Sequence, residues 1–253
     1  MEPAIEFKGV AKSYPMGWQP PFLARELFRR LMRRSPAAPP RLHWALRDLT
    51  FQVSRGSCTG VIGANGSGKS TLLSLIAGTS YATAGEVKVR GRIGPLLELG
   101  AGFHHDLTGY ENIFLNASLL GLRRGEVEER LERIVDFAEI GEFLHAPLHS
   151  FSSGIQARLG FAVVAHIVPD ILLVDEILAV GDQHFQEKCE QAIAGFRRRG
   201  ATMVLVSHDL PAVERLCDRV LWIDQGRLRR SGTARELCRE YRELFTAGHP
   251  GAG

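Results

Sequence analysis

One short segment, Gly63 to Ser70, constrains the fold of this chain more than any other. It reads Gly-Ala-Asn-Gly-Ser-Gly-Lys-Ser and satisfies the pattern G-x-x-x-x-G-K-[ST]. It lies between an apolar, strand-like run at Val61-Ile62 and a helical run that begins at Thr71. That order of strand, loop and helix is the context in which the pattern forms a phosphate-binding loop. The sequence therefore predicts an α/β domain with a phosphate site at the end of a buried strand.

The residue types in this loop suit ATP and Mg²⁺. Glycines let several backbone N–H groups turn towards one phosphate, and the helix N-terminus adds positive potential. Lys69 is expected to reach the β and γ phosphates, and Ser70 to offer its hydroxyl to Mg²⁺. We therefore predict that ATP binds along one continuous segment: Gly63, Ala64, Asn65, Gly66, Ser67, Gly68, Lys69, Ser70 and Thr71.

Two later apolar runs, Ile171 to Val174 and Met203 to Val206, are typical of parallel strands covered on both faces. The first leads into Asp175 and Glu176, which alone would indicate no more than a strand end. Together with the phosphate loop, it predicts that Asp175 serves the metal and that Glu176 is the base that polarises the attacking water. The second leads to His208, which is suited to hydrogen-bond the γ-phosphate and that water.

Elsewhere, Ile5 to Val10 and Leu49 to Val53 alternate with period two and predict partly exposed antiparallel strands. Tyr110 to Phe143 is predicted to be mostly helical.

A chain of 253 residues, 45% of them hydrophobic, can bury the core of one large domain. Its apolar runs are far shorter than the about 20 residues that a membrane-spanning helix needs. The N-terminus lacks the features of a signal peptide, so we expect a cytosolic protein. Metal-site spacing is absent from the four cysteines, Cys58, Cys189, Cys217 and Cys238, so we expect them to be reduced thiols.

The positive charge is local. Residues 20–41 contain six Arg and one Glu, although the whole chain has a net charge of only +3. Between Pro-rich turns, Phe22 to Arg34 is predicted to form an amphipathic helix with Arg25, Arg29, Arg30 and Arg33 on one face. Two interpretations remain open: contact with anionic lipid or a pyrophosphate at the membrane, or a solvated lid on the sheet. A charge confined to one segment argues against nucleic acid as a partner.

Phe151-Ser152-Ser153-Gly154-Ile155-Gln156 precedes the Asp175 strand and resembles the signature motif of ABC-type ATPases. The resemblance implies a P-loop NTPase (RecA-like) core with an antiparallel β subdomain and a helical subdomain. It also implies a homodimer, in which Ser152, Ser153 and Gly154 bind the ATP held by the other subunit. Ala179 to Asp182 matches the D-loop, and His208 the switch histidine. Tyr14 matches the aromatic that stacks on adenine, although Trp44 competes for this role.

Two segments depart from the pattern of most ABC ATPases and resemble one subfamily, the ATP-binding subunits of bacterial polysaccharide exporters. They are Leu97 to Phe103, where Glu98 replaces a Gln that contacts Mg²⁺, and Leu107 to Asn112. The resemblance implies ATP hydrolysis that powers export of a lipid-linked polysaccharide through a polytopic permease, at the cytoplasmic face of the bacterial inner membrane. We expect one domain over residues 1–253, with an insert at 15–43, a helical subdomain at about 104–165 and a last helix at about 233–245. We expect no C-terminal carbohydrate-binding domain.

Three other functions are less favoured. An importer or drug-exporter ATPase would share the sites but carry Gln at the Glu98 position and no basic insert. A DNA-maintenance ATPase would need a long coiled coil between the phosphate loop and the signature motif. A translation factor of the same family would carry two ATP sites in one chain.

Overall fold

The computed structural model describes residues 2–16, 42–96, 100, 102–175 and 181–247. Within these ranges the strands are β1 (Ile5–Pro15), β2 (Leu42–Val53), β3 (Cys58–Ile62), β4 (Ala84–Val89), β5 (Ile93–Leu96), β6 (Ile171–Asp175), β7 (Thr202–Val206), β8 (Arg219–Asp224) and β9 (Arg227–Thr233). The helices are α1 (Lys69–Ile76), α2 (Gly109–Leu119), α3 (Arg124–Glu128), α4 (Leu131–Ala138), α5 (Ser153–His166), α6 (Gln183–Arg198), α7 (Leu210–Leu216) and α8 (Ala234–Ala247). Two short 3₁₀ turns lie at Gly141–Phe143 and Leu148–Ser150.

The central sheet has the strand order β5-β6-β7-β3-β8-β9. All neighbouring strands in it are parallel except β9, which runs antiparallel to β8. Val206 at the end of β7 pairs with both Val61 of β3 and Asp175 of β6. The three strands thus end in register at one edge of the sheet. The predicted α/β fold is confirmed.

Alternation along these strands sends successive side chains to opposite faces of the sheet. On one face, Leu172 and Val174 of β6 share a buried cluster with Phe161 of α5 and Phe185 of α6. On the other face, Leu173 belongs to a cluster that contains residues of β1 and α1. Both faces are covered, which explains why these strands are continuous apolar runs.

The second sheet is antiparallel, with the order β2-β1-β4. Phe7 and Phe51 stack on its inner face with ring centroids 4.5 Å apart. The β1–β2 pairing continues to Pro15 opposite Leu42. The ends of the predicted insert are therefore strand residues, whereas its amphipathic helix, Phe22 to Arg34, lies outside the described residues.

Helices α2 to α5 share a core of their own, which includes Ile113, Ile134 and Leu159. Helix α2 begins with a capping box, in which the Thr108 side chain accepts from the Glu111 backbone N–H and the Glu111 carboxylate accepts from the Thr108 backbone N–H. Helix α5 contributes to this core and also to the cluster on the central sheet. It thereby connects the helical subdomain to the sheet.

Strands β8 and β9 follow Val206, where no strand was predicted from the sequence. Two signals were present: the apolar run Val220 to Ile223, and the turn Gln225-Gly226. Both turn residues have positive φ, 46° and 75°, as two-residue hairpin turns require. The hairpin adds two strands to the edge of the central sheet beyond β3.

All four cysteines are buried free thiols, in agreement with the prediction of reduced thiols in or near the core. Cys58 and Cys217 are neighbours, with their sulfur atoms 3.5 Å apart. The contact with the Cys58 thiol, together with burial, raises the pKa of Cys217 far above its ordinary value. Across the part of the chain that the structure describes, no helix is both long and apolar enough to cross a membrane.

The packing of α5 on the sheet gives a test of the fold. Phe161 is 1% exposed and lies 5.9 Å from the Phe137 ring, so truncation leaves a cavity at the junction of the two cores. We expect Phe161→Ala to lower the free energy of unfolding by about 3–5 kcal/mol in urea titrations. The control Tyr81→Ala, at a side chain 84% exposed, should change it by less than about 0.5 kcal/mol. Equal losses in both variants would contradict this packing.

Candidate nucleotide-binding site

The phosphate loop connects the end of β3 to the start of α1. Gly66 and Gly68 have φ values of 76° and 108°, which side-chain-bearing residues rarely adopt. A Cβ on Gly68 would also lie 2.6 Å from the Ala45 carbonyl oxygen of β2. The glycines thus let the loop pass close against the antiparallel sheet, and its backbone turns back towards the helix N-terminus.

A second close approach holds the loop from the side of the β8–β9 turn. The Gly226 backbone N–H donates to the Ser67 carbonyl over 3.0 Å, and the Arg47 N–H of β2 donates to the Gly226 carbonyl over 2.7 Å. A Cβ on Gly63 would lie 2.1 Å from the carbonyl oxygen of Ile223. The phosphate loop is thus fixed between two parts of the fold that are far apart in sequence.

Lys69 folds back over the loop. Its ammonium nitrogen lies 2.8 Å from the Gly63 carbonyl oxygen and 3.0 Å from that of Ala64, and the residue is only 8% exposed. A lysine at this depth needs hydrogen-bond acceptors to remain charged. The loop carbonyls provide them and aim the ammonium group at the space above the loop.

A cavity of about 380 Å³ lies above the loop. It brings together nine of the predicted site residues, Tyr14, Asn65, Gly66, Gly68, Lys69, Ser70, Thr71, Asp175 and His208, and adds His43, Ala45 and Val206. Gly63, Ala64 and Ser67 belong to the loop but do not line the cavity. The cavity therefore joins the strand ends of the central sheet to the far end of the β1–β2 hairpin.

The lining suits a nucleotide triphosphate and a divalent cation. An ammonium group and a helix N-terminus favour phosphate oxygens at the floor. Hydroxyl and carboxylate oxygens from Ser70, Thr71 and Asp175 are the ligands that Mg²⁺ prefers. A hard oxygen-binding cation and a polyphosphate therefore fit the donor set.

The two candidate aromatics, Tyr14 and Trp44, have different surroundings. Tyr14 lies opposite His43 in the β1–β2 ladder, whereas Trp44 lies opposite Ser13. Because adjacent residues of a strand point to opposite faces, Tyr14 and Trp44 line different cavities. Tyr14, 40% exposed, lines the nucleotide cavity, whereas Trp44 lines a neighbouring cavity of about 340 Å³ with Arg47 and Arg227.

The predicted signature residues lie elsewhere. Ser152 caps α5 by accepting from the Ile155 backbone N–H over 3.3 Å, and Ser153 and Gly154 are exposed at the same helix start. A Cβ on Gly154 would approach only the Ser152 hydroxyl, at 3.8 Å. No residue of this trio lines the nucleotide cavity of its own chain.

Asp182 caps α6 and is linked to the signature helix. Its carboxylate accepts from the Phe185 backbone N–H over 2.9 Å and pairs with the Arg158 guanidinium of α5. The Phe185 N–H and the nearby Arg158 charge lower the pKa of the Asp182 carboxyl. Asp182 is therefore charged at neutral pH and joins the residues after β6 to the signature helix.

Three predicted elements fall outside the described residues: Glu176, Glu98 and the first two D-loop residues, Ala179 and Val180. Glu176 directly follows Asp175, the last residue of β6. His43 and Ala45 line the cavity from β2 but are not among the site residues predicted from the sequence. A signal for both residues lies in the β1–β2 pairing. His43 lies opposite Tyr14, and Ala45, two residues further along β2, is on the same face of the strand as His43.

Comparison with known proteins agrees with this geometry. The family model "ABC transporter" matches residues 46–179. The "O-antigen export system ATP-binding protein RfbB" of Klebsiella pneumoniae is 46% identical over 245 residues, which cover 97% of this chain and 100% of the relative. The "Teichoic acids export ATP-binding protein TagH" of Listeria monocytogenes is 41% identical over 240 residues, covering 95% and 70% respectively.

Solved structures share the fold. The "ATP binding subunit of ABC transporter" superimposes with a TM-score of 0.75 at 22% identity and covers 96% of this chain and 98% of that one. A dimeric ATP-binding cassette bound to ADP and Pi gives a TM-score of 0.70 at 23% identity, covering 91% and 99%. Because the family model covers more than half of the chain and the Klebsiella relative aligns along nearly all of it, this chain belongs to the ABC transporter family.

Proposed function

We propose that this chain is the ATP-hydrolysing subunit that powers export of a lipid-linked polysaccharide through a separate membrane permease. One observation carries the nucleotide part of the proposal. The phosphate loop, Asp175, His208 and Tyr14 line a single cavity whose size and donors suit ATP. The export part rests on relatives that are named for O-antigen and teichoic acid export and align along most of this chain.

In this proposal the chain's own residues hold the triphosphate in place. Loop N–H groups and Lys69 contact the phosphates, while Tyr14 stacks on the base. Ser70 and Asp175 hold Mg²⁺, with Glu98 as a third contact at the Q-loop position. When bound, Mg²⁺ supplies positive charge that offsets the charge on the phosphate oxygens. His43 lies opposite Tyr14 and borders the same end of the cavity.

Hydrolysis requires a base and a group that orients water. Glu176 comes directly after Asp175 in the sequence, and Asp175 lies at the edge where β3, β6 and β7 end in register. A carboxylate at that position can accept a proton from a water molecule that attacks the γ-phosphate. His208 follows β7 at the same edge and lines the cavity, so it is suited to hold that water and the phosphate.

A second copy completes the site. The Ser152 hydroxyl and the N–H groups at the start of α5 form an anion-binding end, and Ser153 and Gly154 are exposed. They line no part of the nucleotide cavity in their own chain. The similar fold of a dimeric cassette bound to ADP and Pi supports a homodimer with ATP between the two copies.

The permease is proposed to dock beside the segment from Glu98 to Phe103. A cavity of about 710 Å³ is lined by Ser70 and Asp175 and also by Gly100, on the sheet side of α2. Leu119, 65% exposed, forms part of the same wall. A permease segment in this space would be near two nucleotide-site residues, which gives a physical route from ATP to the membrane subunit. The chain would then lie at the cytoplasmic face of the bacterial inner membrane, as a peripheral subunit.

The adenine contact can be tested by paired substitutions. We expect Tyr14→Ala to raise the dissociation constant for ATP about tenfold, because stacking of a base on an aromatic ring is lost. Trp44→Ala should change it by less than about twofold, since Trp44 faces the other cavity. Isothermal titration of both variants measures this difference. Weaker binding in Trp44→Ala alone would assign the adenine contact to Trp44.

The base is tested by Glu176→Gln. We expect this variant to bind ATP with the parent affinity and to form an ATP-dependent dimer, while its turnover falls about 100-fold or more. The measurements are steady-state hydrolysis, nucleotide titration and sedimentation with ATP. Glu187→Gln, an exposed carboxylate on α6, is the matched control and should retain the parent rate. Hydrolysis by Glu176→Gln at the parent rate would remove Glu176 from this role.

Export itself is tested in the source bacterium. We expect Lys69→Ala to remove the polysaccharide from the cell surface, because phosphate contact is lost, while the variant still co-purifies with a polytopic membrane protein. Extraction of surface glycan and affinity purification of the chain provide the two measurements. Normal surface glycan together with loss of a different transported compound would support another ABC transporter instead.

A further inference from the structure

Glu139 has a backbone conformation that favours a different residue. It follows the last residue of α4 with φ 57° and ψ 42°, in the left-handed region. Glycine occupies this position after a helix most readily because it has no Cβ to strain. Only two other non-glycine residues have positive φ in the described ranges, Asp48 and Gln225. A strained backbone that persists points to a role for the side chain.

The Glu139 carboxylate contacts three basic side chains from two other helices. One oxygen accepts from Arg158 Nη1 of α5 over 3.0 Å. The other pairs with Lys188 Nζ of α6 and lies 3.7 Å from His184 Nε2 of the same helix. The residue after α4 therefore connects the signature helix to the helix that begins at Asp182.

Arg158 extends this connection to Asp182. Its Nη1 meets Glu139 while its Nη2 pairs with the Asp182 carboxylate, so the planar guanidinium joins two carboxylates at once. The guanidinium carbon also lies 5.1 Å from the centroid of the buried Phe185 ring. These contacts fix the orientation of α5, whose N-terminus carries Ser152 to Gly154.

The side chains of this network are partly shielded from solvent, which strengthens the attraction between their charges. The Arg158 side chain is 19% exposed, Lys188 is 28% and Glu139 is 37%. The hydrogen bond from Lys188, together with the charges of Arg158 and His184, lowers the pKa of the Glu139 carboxyl. The carboxylate is therefore ionised at neutral pH, and partial burial makes a network of this kind stronger than separate surface pairs.

We propose that Glu139 is a positioning residue that sets the signature segment relative to the Asp182 end of α6, so that both approach a second copy in one fixed arrangement. This proposal rests on the homodimer of the proposed function. Glu139 does not contact the nucleotide cavity. It acts through Arg158 and Lys188, and its effect should appear in closure of the dimer rather than in binding of ATP by one chain.

Two substitutions separate the effect of backbone strain at Glu139 from the effect of its carboxylate charge. Glu139→Gly removes both the strained backbone and the carboxylate, whereas Glu139→Gln keeps the backbone requirement and removes the charge. Glu142→Gln, an exposed carboxylate in the following 3₁₀ turn, is the matched control. Each is made in the parent and in the Glu176→Gln background, and is assayed for ATP affinity, ATP-dependent dimerisation, kcat and thermal unfolding.

We expect both Glu139 variants to bind ATP with the parent affinity and to unfold within about 4 °C of the parent. Dimerisation in the Glu176→Gln background and kcat in the parent background should each fall about fivefold or more, the lower end of ordinary coupling between sites. Glu142→Gln should match the parent in every measurement.

Two results would overturn the proposal. Parent-like dimerisation and kcat in both Glu139 variants would show that the network does not position the signature segment. Losses that track a large drop in the unfolding temperature would give Glu139 a structural role only. If the Glu176→Gln chain itself failed to dimerise with ATP, the homodimer of the proposed function would be wrong. That outcome is visible before any Glu139 variant is examined.

Discussion

The structure of the nucleotide site depends on close approach between three backbone segments. The phosphate loop passes under the Ala45 carbonyl of β2 at Gly68 and against the Ile223 carbonyl of β8 at Gly63. Two hydrogen bonds through Gly226 join the loop to β2 and to the β8–β9 turn. Side chains at these glycines would separate the segments, and neither the loop conformation nor the position of the antiparallel sheet would survive. Backbone contacts between distant segments thus hold the loop, together with the hydrogen bonds of the Lys69 side chain to the Gly63 and Ala64 carbonyls.

This arrangement explains how two sheets contribute to one site. The central sheet delivers Lys69, Asp175 and His208 because β3, β6 and β7 end in register. The antiparallel sheet delivers Tyr14 and His43 because the end of its β1–β2 hairpin reaches the same cavity. The close contact at Gly68 fixes the distance between the two groups. The phosphate loop and the end of the β1–β2 hairpin thus belong to separate sheets and meet through the contacts at Gly68 and Gly226.

Much of the fold and of the nucleotide site was predictable from the sequence, because short local patterns specify those parts. The phosphate loop, the strands before Asp175 and His208, and the capped start of α5 are each specified by a few neighbouring residues. What was missed depends on distant pairing. His43 and Ala45 line the cavity because β2 pairs with β1 across a separation of residues 17–41 in the sequence. The run Val220 to Ile223 of β8 is as long as the apolar runs of β6 and β7, but no nucleotide-site residue follows it to draw attention to it. Glu139 contacts residues 19 and 49 positions away, which no local pattern indicates.

The pairing at the end of the β1–β2 hairpin affects which changes in the connecting segment the fold can tolerate. Pro15 and Leu42 are cross-strand neighbours, so the two ends of the segment that joins β1 to β2 lie close together. The entropy of closing a loop between fixed ends grows only logarithmically, and doubling its length costs about 0.6 kcal/mol. Segments of different length and charge can therefore be exchanged at this hairpin with little effect on stability. The catalytic core can keep its geometry while the exchanged segment adapts to different partners.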